Sequence, residues 1–171
     1  MPGQRPTAEP AEQAAQGATE GTAGGAAGGV SDGAGERPVG LTRDAGFQIG
    51  VSRTLPHPPA AVWSLLTSAE GAALWLGPGA RLTERVGARI TTADGSDGEL
   101  RSHHAGSRIR LSWRPAGRSG STTVQVTVTP GGSGTVLRFH QERLADPEER
   151  ARQREHWRAV MDAVAAELAA R

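Results

Sequence analysis

The chain has 171 residues, including 24 Gly, 11 Pro and no Cys, and its formal charge is +1 at pH 7. Without cysteine it has no disulfide framework, no thiolate nucleophile and no Cys-based zinc site, and we predict no metal site of another kind. The 19 basic residues are all arginines and lie scattered along the chain, which argues against nucleic-acid binding. The apolar runs are too short to span a bilayer and the first residues lack the apolar core of a signal peptide, so we expect a soluble cytoplasmic protein.

The first 46 residues differ in composition from the rest of the chain. They contain one Leu, two Val and no Trp or Phe, whereas all four Trp and both Phe lie at or after Phe47. They also carry three Arg against six acidic residues, while the remainder carries 16 Arg against 12. So few large apolar side chains do not offset the entropy of ordering a backbone. We therefore predict a disordered low-complexity tail over residues 1–46 and one folded domain over residues 47–171.

The predicted domain opens with a strand and two short helices. Residues 47–51 alternate between apolar and small or polar side chains, which is the period of a half-buried strand. The pair Pro58-Pro59 precedes an apolar run over 60–66, and this predicts a short helix with proline in its first turn. Ser68 is the predicted N-cap of a second helix, which ends at Leu76 before a Gly-Pro pair.

Short strands and turns follow these helices. Apolar and polar residues alternate over short stretches, and glycine-containing turns separate them. Connections this short join antiparallel neighbours, because parallel strands need longer crossovers. The predicted strands are 81–86, 88–93, 98–104, 107–114, 121–129 and 134–143.

The last predicted element is a long amphipathic helix. Asp146 is suited to the N-cap, Pro147 to the first helical position and Glu149 to the third, which together form a capping box. Apolar residues from Trp157 to Leu168 recur at steps of three and four. The helix would run about 24 residues, or roughly 36 Å. Packed on one face of the antiparallel sheet, it would make an α+β fold.

Short motifs of Pro, Trp and Leu recur in a fixed order along the predicted domain. They are Pro58-Pro59, Val62-Trp63, Leu66-Thr67, Trp75-Leu76, Gly98-Glu99, Trp113, Gly134-Thr135, and Trp157 with Met161 and Val164. This pattern resembles the SRPBCC (START-like) superfamily, in particular the bacterial branch related to the activator of the heat-shock protein 90 ATPase. The resemblance covers about residues 47–169 and excludes the tail. It departs from the family at Gln141, where many relatives have His, and at Arg143, where Gly is usual.

The resemblance implies a helix-grip fold, in which a curved antiparallel sheet wraps around a long C-terminal helix and two short helices follow the first strand. It also implies a deep, mainly hydrophobic cavity between the sheet and that helix. Members of the superfamily bind lipids, hormones or polyketides, catalyse cyclisation, or contact chaperones, so the fold alone does not select a function. The predicted cavity residues are Trp75, Glu99, Arg101, His103, Trp113, Phe139, Gln141, Trp157 and Met161.

We favour a non-enzymatic module that binds a small lipophilic molecule and needs no cofactor. The alternatives are a chaperone-associated interaction module and an enzyme of the polyketide cyclase or dehydratase type, with Glu99, His103 or Gln141 as polar groups in the pocket. An ordinary aromatic core would show the same spacing of Trp and Phe. A dry apolar cavity of about 300 Å³ would cost about 7 kcal/mol, so the cavity is expected to be collapsed, wet or occupied.

No catalytic residue can be assigned from the sequence. The adjacent His103 and His104 would point to opposite faces of a strand, and one of them would share a face with Glu99 and Arg101. Glu99 and His103 would lie about 13 Å apart along the strand, which is too far for direct proton transfer.

Overall fold

The structure, a computed structural model, describes residues 39–42 and 46–171. Most of the predicted tail lies outside these residues. The described part folds as a curved antiparallel sheet with three helices. In chain order its elements are β1 (Leu41–Thr42), β2 (Gly46–Leu55), α1 (Pro59–Thr67), α2 (Ala69–Leu76), β3 (Arg89–Thr91), β4 (Asp97–His104), β5 (Arg108–Arg114), β6 (Thr122–Gly131), β7 (Gly134–Leu144) and α3 (Pro147–Ala169).

The strands form one sheet with the order β1-β2-β7-β6-β5-β4-β3. From β3 to β7 each strand pairs with the next one in the chain. The last strand, β7, also pairs with β2, which lies before the two short helices. α1 and α2 connect β2 to β3, and α1 packs on β6 and β7 while α3 packs on β2 and β7. The predicted helix-grip fold is confirmed.

The core lies between the inner face of the sheet and the helices. Along β6, Val124, Val126 and Val128 are buried and alternate with half-buried polar residues, as expected for a sheet with one covered face. α3 begins as predicted, because the Asp146 carboxylate accepts a hydrogen bond of 2.7 Å from the Glu149 backbone N–H. Its buried residues recur at helical spacing: Trp157, Val160, Met161, Val164 and Leu168.

Two boundaries differ from the prediction. Residues 81–86, which were predicted to be a strand, form none. The sheet ends at β3, which pairs with β4 alone, so no strand lies beyond β3 with which residues 81–86 could pair. At the other edge, β1 pairs with the start of β2, so the sheet begins before Phe47. No helix in the described ranges is both long and apolar enough to cross a membrane.

Candidate functional site

Trp75 is positioned by the corner between α1 and α2. Ser68 follows α1 and caps α2, and its hydroxyl accepts a hydrogen bond of 3.0 Å from the Gly71 backbone N–H. Gly71 lies so close to α1 that an added Cβ would sit 1.7 Å from the Leu65 carbonyl oxygen. The Trp75 indole N–H then donates to the Leu66 carbonyl oxygen at 3.1 Å. The corner thus fixes a buried indole, only 1% exposed, against the inner face of the sheet.

The centre of the interface between the sheet and α3 is filled by three aromatic rings. Phe139 of β7 stacks on Trp157 of α3, with ring centroids 4.6 Å apart and planes 14° apart. Trp75 of α2 also packs against Phe139, with ring centroids 6.0 Å apart. Aromatic pairs at such distances stabilise a core beyond the apolar area that they bury. The middle of the interface is therefore packed.

A chain of buried hydrogen bonds holds Trp157 against the sheet. Its indole N–H donates to Gln141 Oε1 at 2.8 Å, and Gln141 Nε2 donates to Thr122 Oγ1 at 3.0 Å. The Thr122 hydroxyl donates in turn to the Trp113 carbonyl oxygen at 2.9 Å. We call these three bonds the Gln141 relay. It joins β5, β6, β7 and α3, and the Gln141 amide is engaged by protein on both its atoms.

A cleft of about 180 Å³ remains beside this packed centre. It lies between the end of α2, the turn from β3 to β4, the end of β5 and the first half of α3. Four of its lining residues are buried and mostly aromatic: Trp75, Trp113, Gln141 and Trp157. The lining also includes the polar side chains of Asp94, Ser96, Gln153 and His156.

The carboxylate of Asp94 is held in the turn between β3 and β4. Its Oδ1 accepts hydrogen bonds from the Thr92 hydroxyl and, at 3.0 Å, from the Ser96 backbone N–H. The bond from Thr92, followed by that from Ser96, lowers the pKa of Asp94, because both favour the charged form. Asp94 is therefore an anion at neutral pH.

His156 of α3 also lines the cleft, and its imidazole packs edge-on against the neighbouring indole of Trp157 with ring centroids 4.9 Å apart. The ring still meets solvent, yet the surrounding protein removes enough water to lower its pKa below the usual value. At neutral pH the ring is neutral. No group of three His, Asp or Glu within residues 39–42 and 46–171 is arranged to hold a metal ion.

The strict alternation expected for β4 is wrong. A bulge follows Leu100 and shifts the register of the strand. Before the bulge, Glu99 lies opposite Ser112 on the outer face, and after it, His103 lies opposite the buried Ile109 on the inner face. Glu99 and His103 therefore point to opposite sides of the sheet.

Three predicted polar residues of β4 lie away from the cleft. The Arg101 guanidinium donates to Glu99 at 2.7 Å, and the two side chains are 60% and 41% exposed, so this ion pair belongs to the surface. His103 packs against Trp63 of α1, with ring centroids 5.6 Å apart. The structure therefore places Glu99 and Arg101 at the surface of the sheet and outside the cleft.

The other predicted residues separate into two groups. Trp75, Trp113, Gln141 and Trp157 line the cleft, and Phe139 is packed between two of these indoles. Met161 is buried on α3 and lines a different, shallow groove between α3 and β2, next to the Arg53–Asp162 ion pair.

No motif in the sequence marks Asp94, Ser96, Gln153 or His156 as site residues. An Asp-Gly pair is the common composition of a turn, and polar residues on a helix usually face solvent. One usable signal was the position of Gln153, four residues before Trp157, which places both on the same side of α3.

The two departures from the family pattern have structural explanations. Arg143 adopts a left-handed backbone with φ of 66°, the conformation in which glycine is least strained. Its carbonyl oxygen accepts a hydrogen bond of 2.9 Å from Arg118, which also forms an ion pair of 2.7 Å with Glu149 on α3. The hydrogen bond from Arg118 is the main reason that the pKa of Glu149 is lowered. Gln141, the second departure, occupies the middle of the Gln141 relay.

The fold and the position of the cleft define a helix-grip protein of the SRPBCC superfamily. The family model described as "Activator of Hsp90 ATPase homolog 1-like protein" matches residues 56–169, and the chain belongs to this family. No curated protein matches the sequence.

Solved structures with the same fold share little sequence with this chain. Protein CV1439 from Chromobacterium violaceum is 23% identical over 71% of this chain and 96% of its own, with a TM-score of 0.59. CalU16 from Micromonospora echinospora is 19% identical over 71% of this chain and 74% of its own, with a TM-score of 0.60. DynU16, from the dynemicin biosynthetic locus, is 21% identical over 71% of this chain and 46% of its own, with a TM-score of 0.61. These likenesses concern the fold.

Proposed function

We propose that this protein binds a small apolar molecule in the cleft between α2, the sheet and α3. The observation that carries the proposal is the convergence of Trp75, Trp113 and Trp157 on a cleft of about 180 Å³. Ligand pockets are typically apolar and aromatic, with a few polar groups that orient the ligand. The volume lies below the range of about 300–1,000 Å³ for drug-sized ligands, so the ligand is expected to be about the size of one substituted ring.

The packing around the cleft supports a binding role. If the cleft were dry and wholly apolar, a gap of this size would cost about 4 kcal/mol, a large share of a typical stability of about 5–15 kcal/mol. The polar side admits water, and an apolar ligand would displace that water from the tryptophan side. The Gln141 relay and the hydrogen bond of Trp75 hold the walls in place, so that little ordering entropy is lost on binding.

The two alternative functions have less support. A role as a chaperone partner rests on the family description alone. A cyclase-like reaction would need an available acid or base on the buried side of the cleft, and the polar group there, Gln141, is engaged in the relay. Binding is therefore the function that the geometry favours.

Titration of the full chain with toluene, followed through the indole N–H resonances in NMR spectra, tests the proposal. The four tryptophans supply an internal control, since Trp63 packs against His103 away from the cleft. We expect saturable shifts of Trp75, Trp113 and Trp157 with Trp63 unchanged. Uniform shifts of all four indoles, or none, would refute the proposal.

A matched pair of variants locates the binding site. Gln153→Phe places a ring in the cleft and should abolish the shifts. Ala159→Phe adds the same ring to an exposed position of α3 and should leave them intact. Equal toluene binding by both variants would place the ligand elsewhere.

A further inference from the structure

We infer that the cleft selects organic cations, an ammonium group on a small apolar body, over neutral and anionic molecules of the same shape. This inference rests on the proposed function and names its ligand class. The first reason is the sign of the charge. Asp94 is the charged group on the lining, and although the predicted domain has 16 arginines, the described lining residues include none. Neutral His156 adds no positive charge that would oppose a cation.

The second reason is that the Asp94 carboxylate is fixed and has an available oxygen. Both hydrogen bonds from the turn go to Oδ1, and within the described part of the chain no side chain forms an ion pair with this residue. Asp94 is exposed to solvent, and its other oxygen, Oδ2, lies beside Gly77, which has no side chain to cover it. Oδ2 can therefore receive an N–H donor or contact an alkylammonium group.

The third reason is the surroundings of this carboxylate. α2 ends at Leu76, which also lines the cleft, and the end of a helix carries the equivalent of about half a negative charge. The same lining contains three indole rings, and indole is the side chain that attracts cations most strongly. An anionic head such as a carboxylate would meet Asp94 and this helix end without a compensating arginine. The local field therefore favours one sign of ligand.

Two isosteric probes test the inference. Phenyltrimethylammonium and tert-butylbenzene have the same shape and differ in one atom, a positively charged nitrogen in place of carbon, and benzoate serves as the anionic probe. Dissociation constants of the full chain are measured at low and high salt by the indole N–H shifts. We expect the cation to bind about five- to tenfold more tightly than tert-butylbenzene at low salt, with benzoate weakest. High salt should weaken binding of the cation alone.

Charge removal at the carboxylate provides the matched control. Asp94→Asn keeps the Oδ1 acceptor of the turn and should remove most of the preference for the cation while leaving tert-butylbenzene binding unchanged. Asp97→Asn, on β4 beside Arg114 and outside the cleft lining, should preserve the preference. A preference that survives undiminished in Asp94→Asn, or equal affinity of both isosteres in the unaltered chain, would overturn the inference alone. Failure of tert-butylbenzene and toluene to bind at all would overturn the proposed function, and the ligand class with it.

Discussion

The interface between the sheet and α3 has two regions that use similar residues differently. In its middle, Phe139 is enclosed between Trp157 and Trp75, and no polar group interrupts the stack. Toward the start of α3, the indoles of Trp75, Trp113 and Trp157 border a cleft whose lining also includes Asp94 and His156. Aromatic content is thus alike in the two regions, and what differs is whether polar side chains share the lining.

The difference indicates how this fold combines stability with a site. A ring surrounded by other rings contributes packing and resists any loss of volume. Where aromatic rings and hydrogen-bonding side chains line the same cleft, a ligand or water can occupy the space between them. The Gln141 relay connects the two regions, since it holds Trp157 in the stack and Trp113 at the cleft.

The largest effect is expected from Phe139→Ala. The side chain is fully buried, so its removal leaves a cavity in the stack and should lower the free energy of unfolding by about 3–5 kcal/mol. Val136→Ala, a half-buried residue of the same strand on the outer face, should cost less than about 1 kcal/mol. Urea denaturation at 25 °C measures both values. A loss below about 1 kcal/mol for Phe139→Ala would mean that the middle of the interface is not the better packed region.

A smaller loss is expected when the relay is broken. Gln141→Leu leaves the indole N–H of Trp157 buried without an acceptor and should cost about 1–3 kcal/mol. Gln141→His should cost less, because a neutral imidazole also offers one acceptor and one donor. The same denaturation experiment compares them. A greater loss for His than for Leu would show that shape, rather than hydrogen bonding, determines residue 141.

Gln125→Leu is the control for these two variants. Gln125 lies on β6 at the outer face, where its amide is only partly buried, so its replacement should change stability by less than about 0.5 kcal/mol. An equal loss for Gln125→Leu and Gln141→Leu would remove the special role assigned to the relay.

The smallest effect is a pH dependence from His156 at the cleft. Its pKa in the folded chain lies below the unfolded value of about 6.5, so the unfolded chain binds a proton first as the pH falls. This contribution to stability is fully present above pH of about 6.5 and is lost as the pH falls from there through the folded pKa. His156→Gln should therefore lose less stability than the unaltered chain between pH 7.5 and 5.5.

Free energies of unfolding at those two pH values check the His156 prediction. His104→Gln, at the exposed last residue of β4 and outside the cleft lining, serves as the control for replacing a histidine. If His156→Gln and the unaltered chain lose the same stability on acidification, the ring is not desolvated at the cleft.

Some parts of the site were accessible from the sequence and others were not. The large aromatic residues are recognisable in the sequence because they are few, and their pattern predicts that Trp75, Trp113 and Trp157 line a cavity. Asp94 is not recognisable in this way, since an Asp-Gly pair has an adequate explanation as a turn. The turn becomes part of a site only because α2 ends at Leu76, which places Gly77 beside Asp94.

The sequence by itself determined the two short helices, the capped start of α3 at Asp146 and the alternation of β6, because helical and strand periodicities are local properties of the chain. Tertiary structure decided three further features: which way Glu99 and His103 point after the bulge, whether residues 81–86 find a strand to pair with, and which polar groups face the tryptophans. Each of these depends on contacts between segments far apart in the chain, and no local period encodes such contacts.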